Sequence, residues 1–172
     1  MTRDSTGPLV SRYASRGVLV DTNVLLLYFV GRFRRQRIGS FKHTSQYTER
    51  DFDLLARLLS PFARIVTTPN VLSEVSNLSG QLGDPEKTNY FRQFAREIAL
   101  LDERYVESTM ASQEECFSRL GLTDSAILRV AKDRFLVLTA DAGLYDAAAR
   151  ARIDAINFAH FLESAAEVDR RR

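Results

Sequence analysis

The sequence predicts an α/β fold built around a mostly parallel sheet. Short, continuously apolar runs ("GVLV", "RIVT", "FLVLT") have the composition of strands buried on both faces. They alternate with longer stretches whose apolar residues recur at helical spacing, the signature of strands joined by covering helices. A chain of 172 residues with 45% hydrophobic content is one domain, able to bury about 70% of the surface its unfolded form exposes.

In chain order, residues 1–16 read as a flexible polar N-terminal arm. "GVLV" (17–20) is the first strand and ends at Asp21, and "NVLLLYFV" (23–30) is a helix. "GRFRRQRIGSFKHTSQYT" (31–48) has Gly31 and Gly39 around a basic cluster and no apolar period, which predicts a basic excursion or loop. A helix at about 48–60 leads into the strand "RIVT" (64–67). Thr68 and Pro69 supply an N-cap and a first-turn proline for a helix over 69–80, which Gly80 stops. A helix over 85–101 follows. "RYVES" (104–108) reads as a short strand, and a further helix runs up to Gly121. Thr123 caps a helix from Asp124 to about Arg134. "FLVLT" (135–139) is a strand, "AGLYDAAARA" (142–151) a helix and "IDAINF" (153–158) the last strand. The expected organisation is therefore an arm over 1–16, a folded domain over 17–160, and a helix end with the basic tail "DRRR" over 161–172.

Bulk chemistry narrows the function classes. The 24 Lys and Arg against 22 Asp and Glu leave a formal charge of only +2, so an argument for nucleic acid must be local rather than global. A single cysteine, Cys116, excludes an intramolecular disulfide framework and any thiolate metal cluster within the chain, and suits a reducing compartment. The longest apolar run, "VLLLYFV", is far short of the roughly 18 residues of a membrane span. The first residues lack the apolar core of a secretory signal. The expectation is a soluble cytoplasmic protein with no membrane partner.

Four carboxylates occupy costly positions. Glu74 falls on the same helical face as Val71, Val75 and Leu78, and Asp124 on the face of Ile127, Leu128 and Ala131. Asp21 and Asp141 directly follow apolar strands, at the edge of an α/β sheet where ligands bind. Taken singly, each aspartate also fits a structural role. Asp21 and Asp141 can cap the helices that follow, and Asp124 can answer a helix dipole. Gathered together, they repel one another and lose hydration, so their ionised forms need a counter-charge. Oxygen ligands without clustered His or Cys favour Mg²⁺ or Mn²⁺.

The order and context of these acids resemble the PIN domain, a metal-dependent nuclease fold. "VLVDTNVLL", "TTPNVLSEV" and "GLTDSAILRVAKDRFLVLTADAGLYDAAARARIDAINF" carry the resemblance, which spans about residues 17–158. It implies a three-layer α/β/α sandwich that hydrolyses RNA phosphodiester bonds, most often in single-stranded or looped RNA. It implies Asp21, Glu74, Asp124 and Asp141 as catalytic and metal-binding residues, with Asn23 and Thr139 as polar neighbours. Many stand-alone members resemble VapC-type toxins, so an antitoxin protein and a homodimer are the implied partners besides RNA. The segment between Asn23 and Glu74 is longer than in that compact pattern.

On this reading the acids hold one or two Mg²⁺ or Mn²⁺ ions, which activate water and stabilise the charge developing on phosphate. Asp21 and Asp124 are the leading ligands, Asp141 follows, and Glu74 acts through water. The excursion would bind RNA through Arg32, Arg34, Arg35, Arg37 and Lys42, with Phe33, Phe41, His43 and Tyr47 free to stack on bases. Its alternative is a solvated loop anchored by two buried phenylalanines. Three rivals complete the set. A receiver domain wants adjacent acids before the first helix and a Lys after a late strand, and this chain has neither. A haloacid-dehalogenase-like phosphatase needs an acid where this chain has Asn23. A PIN-like module that binds RNA or protein without cutting leaves the four acids unexplained.

Overall fold

The computed structural model describes residues 6–170. Five strands form one sheet in the order β3-β2-β1-β4-β5, and every neighbouring pair is parallel. They are β1 (Val18–Val20), β2 (Ile65–Thr67), β3 (Asp102–Glu103), β4 (Leu136–Thr139) and β5 (Ala155–Asn157). The helices are α1 (Thr6–Tyr13), α2 (Thr22–Phe33), α3 (Glu49–Leu59), α4 (Pro69–Ser79), α5 (Glu86–Ile98), α6 (Ser108–Ala111), α7 (Phe117–Ala131), α8 (Ala142–Arg150) and α9 (Phe158–Arg170). The result is the expected three-layer α/β/α sandwich. Helices α3, α4 and α5 gather around α2, and α7 packs with α8, in keeping with right-handed crossovers that run in opposite directions from β1.

β1 lies at the centre, flanked by β2 and β4. Every residue of β1 and β4 is buried, as a strand covered on two faces demands. From β1 the chain moves outward through β2 to β3, then returns to the other side of β1 to lay down β4 and β5. The topological switch therefore falls between the carboxyl ends of β1 and β4, where Asp21 and Thr139 sit.

Several local expectations need correction. Residues 6–13 of the supposed arm are helical: Tyr13 is buried, and Arg12 and the Tyr13 hydroxyl both donate to Asp154 Oδ2, at 2.9 and 3.0 Å. Residues 1–5 of that arm and 171–172 of the basic tail lie outside the described residues, and α9 carries helix on to 170. The third strand is Asp102–Glu103 rather than "RYVES". A two-residue edge strand tolerates charge there, and Asp102 is paired with Arg64 and Arg104. Thr123 does not cap a helix. The break comes at Gly121, whose φ of 81° is readily available to glycine and interrupts α7.

Gly31 does not open a loop either. It lies inside α2, where the ring of Phe52 from α3 packs on its Cα, and a Cβ would meet ring carbons at 2.2, 2.5 and 2.7 Å. Gly31→Ala is accordingly expected to force α2 and α3 apart and to cost about 2 kcal/mol, read as a lower urea midpoint. A midpoint equal to wild type would show that Phe52 yields freely.

Candidate active site

Asp21 follows β1 and caps α2. Its Oδ1 accepts from the Val24 amide at 3.1 Å, while Oδ2 accepts from the Ala140 amide at 3.2 Å and from the Thr139 hydroxyl. The carboxylate is 4% exposed, so burial raises its pKa. The three hydrogen bonds oppose that rise, and the charge of Asp141 adds to it. Thr139 also accepts from the Asp141 amide at 2.9 Å, which ties the ends of β1 and β4 together. Asp141 is an exposed N-cap for α8, its Oδ1 accepting from the Leu144 amide at 2.8 Å. Both capping roles read from the sequence are therefore present, and both place a carboxylate at the switch.

Asp124 lies three residues beyond the Gly121 break and is half-buried. Its pKa is pushed up to about 7, first by burial and then by the charges of Asp141, Asp21 and Glu74. Among the described residues no donor or cation contacts its carboxylate. The four acids thus share one electrostatic neighbourhood, although they come from four separate elements.

Glu74 differs from its expected inward position: it is exposed, at the rim of this crevice. Thr22 donates to its Oε2 at 2.8 Å and Thr123 to its Oε1 at 2.5 Å, so it links the start of α2 to α7. The sequence reading did not assign Thr22 to the site and took Thr123 only as a helix cap. Their signal was available, since each adjoins an acid in "DTN" and "LTD". Asn23 is exposed and, among the described residues, its side chain makes no hydrogen bond.

The donor set is all oxygen and strongly anionic, which fits a hard divalent cation in charge and ligand type. Its arrangement is looser. Among the described residues no three Asp, Glu, His or Cys side chains are grouped closely enough to hold an ion as they stand. The hydrogen bonds give a physical reason: Asp21 and Glu74 use both oxygens on protein donors and Asp141 uses one, which leaves Asp124 and one oxygen of Asp141 uncommitted.

The basic excursion is more compact than a loop, with a short 3₁₀ turn at Arg35–Arg37 and a series of further turns. Its charge is compensated by acids of α3 and α5. Arg32 pairs with Glu97 at 3.2 Å, Arg34 with Glu86 at 3.2 Å, and Arg35 with Asp53 at 2.6 Å and Glu49 at 3.5 Å. Arg37 lies 2.9 Å from Glu86, though not aligned for a hydrogen bond. Among the described residues Lys42 alone of the five has no acidic partner. The aromatic residues do not form the expected stacking face. Phe41 and Tyr47 are buried, Phe33 packs edge-on against Tyr90, and His43 contacts Gln81 at 2.9 Å. Tyr47 packs against Phe158 instead: burial raises its hydroxyl pKa, a hydrogen bond with Gln46 opposes this, and the charges of Asp21 and Asp51 raise it further.

Compared with known protein families and with curated proteins, the chain matches none. Among the described residues no helix is long and apolar enough to cross a membrane.

Proposed function

We propose that the protein is a divalent-metal-dependent endoribonuclease of the PIN type, hydrolysing phosphodiester bonds in single-stranded or looped RNA. The observation that carries this reading is the gathering of four carboxylates from four elements at the switch of a parallel sheet, where burial first, and then the charges of Asp141, Asp21 and Glu74, push Asp124 up to about 7. Such repulsion persists only where it serves a ligand, because an apolar or amide side chain at 124 would remove it. Asp21, Asp124 and Asp141 would hold Mg²⁺ or Mn²⁺. When bound, the cation supplies an activated water and a counter-charge for the phosphate.

The chain's own residues do the rest. Thr139 fixes Asp21 by donating to Oδ2, and Thr22 and Thr123 fix Glu74 at the rim, where it can orient water or ribose hydroxyls. Asn23, exposed in the first turn of α2 two residues after Asp21, would serve as a polar contact for substrate. A labelled single-stranded RNA is expected to be cut internally in Mg²⁺ or Mn²⁺ and to stay intact in excess chelator. Cleavage indifferent to the chelator removes the reading.

One observation favours a second reading, a PIN-like module that binds RNA or protein without cutting. The oxygens of Asp21 and Glu74 are already satisfied by protein donors. That reading predicts RNA binding independent of metal and no cleavage. An antitoxin partner and pairing of two copies belong to the first reading by resemblance. Co-expression with a neighbouring small reading frame and light scattering of the purified chain test them.

A further inference from the structure

We propose that Tyr145 and His160 form a stacking platform for a nucleobase of single-stranded RNA beside Asp141. The inference rests on the proposed function, and it names how the substrate is held. RNA lying over four carboxylates meets repulsion rather than attraction at its phosphates. Four of the five basic residues in the excursion are paired with acids, so little cationic surface is left there to offset that repulsion. Stacking of bases on aromatic rings close to the acids supplies a hold that does not depend on the phosphates.

His160 is exposed and Tyr145 half-buried, and the two rings meet beside Asp141. Tyr145 lies four residues after Asp141 on α8, on the same face and about one helical turn, roughly 5.4 Å, along the axis. Its amide donates to the Asp141 carbonyl at 3.0 Å, so the spacing is set by helix geometry. His160 is in the first turn of α9, directly after the carboxyl end of β5, and is exposed. The two rings meet edge-to-face, with centroids 6.1 Å apart and planes at 82°. An edge-to-face pair fixes each ring while occupying only one ring face, which leaves area for a base.

The support beneath is rigid. The side-chain oxygen of Asn157 accepts from the amides of Ala159 and His160 at 3.0 and 3.2 Å, which orients the first turn of α9. Phe158 is fully buried, stacks on Phe161 at 6.1 Å and touches Tyr47 at 6.0 Å. By contrast, Phe41 and Tyr47 in the excursion are buried and have no ring face to offer.

The test is binding of a fluorescein-labelled twelve-nucleotide single-stranded RNA, measured by anisotropy in EDTA, so that cleavage plays no part. Tyr145→Ala and His160→Ala are each expected to weaken binding by about tenfold, and Tyr145→Phe to bind as wild type. An abasic strand of the same length and charge is expected to bind weakly and to be insensitive to Tyr145→Ala. His160 is exposed, so His160→Ala tests the idea even if Tyr145→Ala unfolds the chain. Unchanged RNA affinity in His160→Ala, equal binding of abasic strand and RNA, or no RNA binding by wild type would each overturn the platform. Metal-dependent cleavage with unchanged affinity in both alanine variants would sink the platform and leave the nuclease reading standing. Platform-dependent binding without metal-dependent cleavage would do the reverse.

Discussion

Asp124→Asn is expected to lower RNA cleavage by about a thousandfold while making the metal-free protein more stable above pH 7. The two effects share one cause. Asparagine keeps the shape of the side chain but cannot carry the charge that a cation needs, and loss of one such group costs roughly this much where electrostatics dominates. The stability gain follows from the pKa of about 7 against the ordinary 3.8 of an aspartate in the unfolded chain. Between those values the folded state keeps a proton that the unfolded state has released, so stability falls as pH rises through this window and the deficit is complete above pH 7. Solvent reaches part of the carboxylate, so the deficit is about 2 kcal/mol rather than the full value of the shift. Thermal melts in EDTA are expected to show Asp124→Asn melting about 5 °C above wild type at pH 8 and level with it near pH 3. A variant that melts with wild type at both pH values would mean that neither burial nor the neighbouring acids penalise the Asp124 charge.

Asp21→Ala should act in the opposite direction on stability. This carboxylate is also buried, but three donors converge on it: the Val24 amide, the Ala140 amide and the Thr139 hydroxyl. Alanine removes the cap of α2 and strands two backbone amides at the junction of β1 and β4. The expected cost is about 3 kcal/mol, combining a lost cap with unsatisfied buried donors, and a melting temperature lower by about 10 °C. Cleavage is lost as well. Asp21→Asn separates the two roles: its side-chain oxygen can still accept from the Val24 amide, so it is expected to recover part of the stability and none of the activity. Equal melting of Asp21→Ala and wild type would contradict the structural role given to this acid.

This opposition explains which parts of the molecule were legible in the sequence. β1 and β4 were plain because a strand covered on both faces must be apolar throughout, and "VLV" and "LVLT" have no other use. α4 was plain because Thr68 and Pro69 mark its start chemically, and the Thr68 hydroxyl accepts from the Val71 amide at 3.3 Å. Asp21 and Asp141 stood out because each must follow such a strand.

What stayed hidden depends on contacts distant in sequence. α1 is held by Asp154, more than 140 positions away, and nothing local announces it. The pairing of Arg32, Arg34, Arg35 and Arg37 with acids of α3 and α5 turned an expected RNA face into a compensated surface. A charge run shows its sign in the sequence but not its partners. β3 was misplaced because Tyr105 and Val106 have higher strand propensity than Asp102 and Glu103. Backbone pairing with Val66 and Thr67 decided the register instead.

The proposed function requires a divalent cation to complete the neighbourhood that the acids of four elements share, and crystallography tests this most directly. An anomalous difference map from a crystal soaked in Mn²⁺ at pH 8 is expected to show a peak in the crevice bounded by Asp21, Asp124 and Asp141, and none in the Asp124→Asn variant. A wild-type crystal with no peak there, or with Mn²⁺ bound only at unrelated surface carboxylates, would contradict the account.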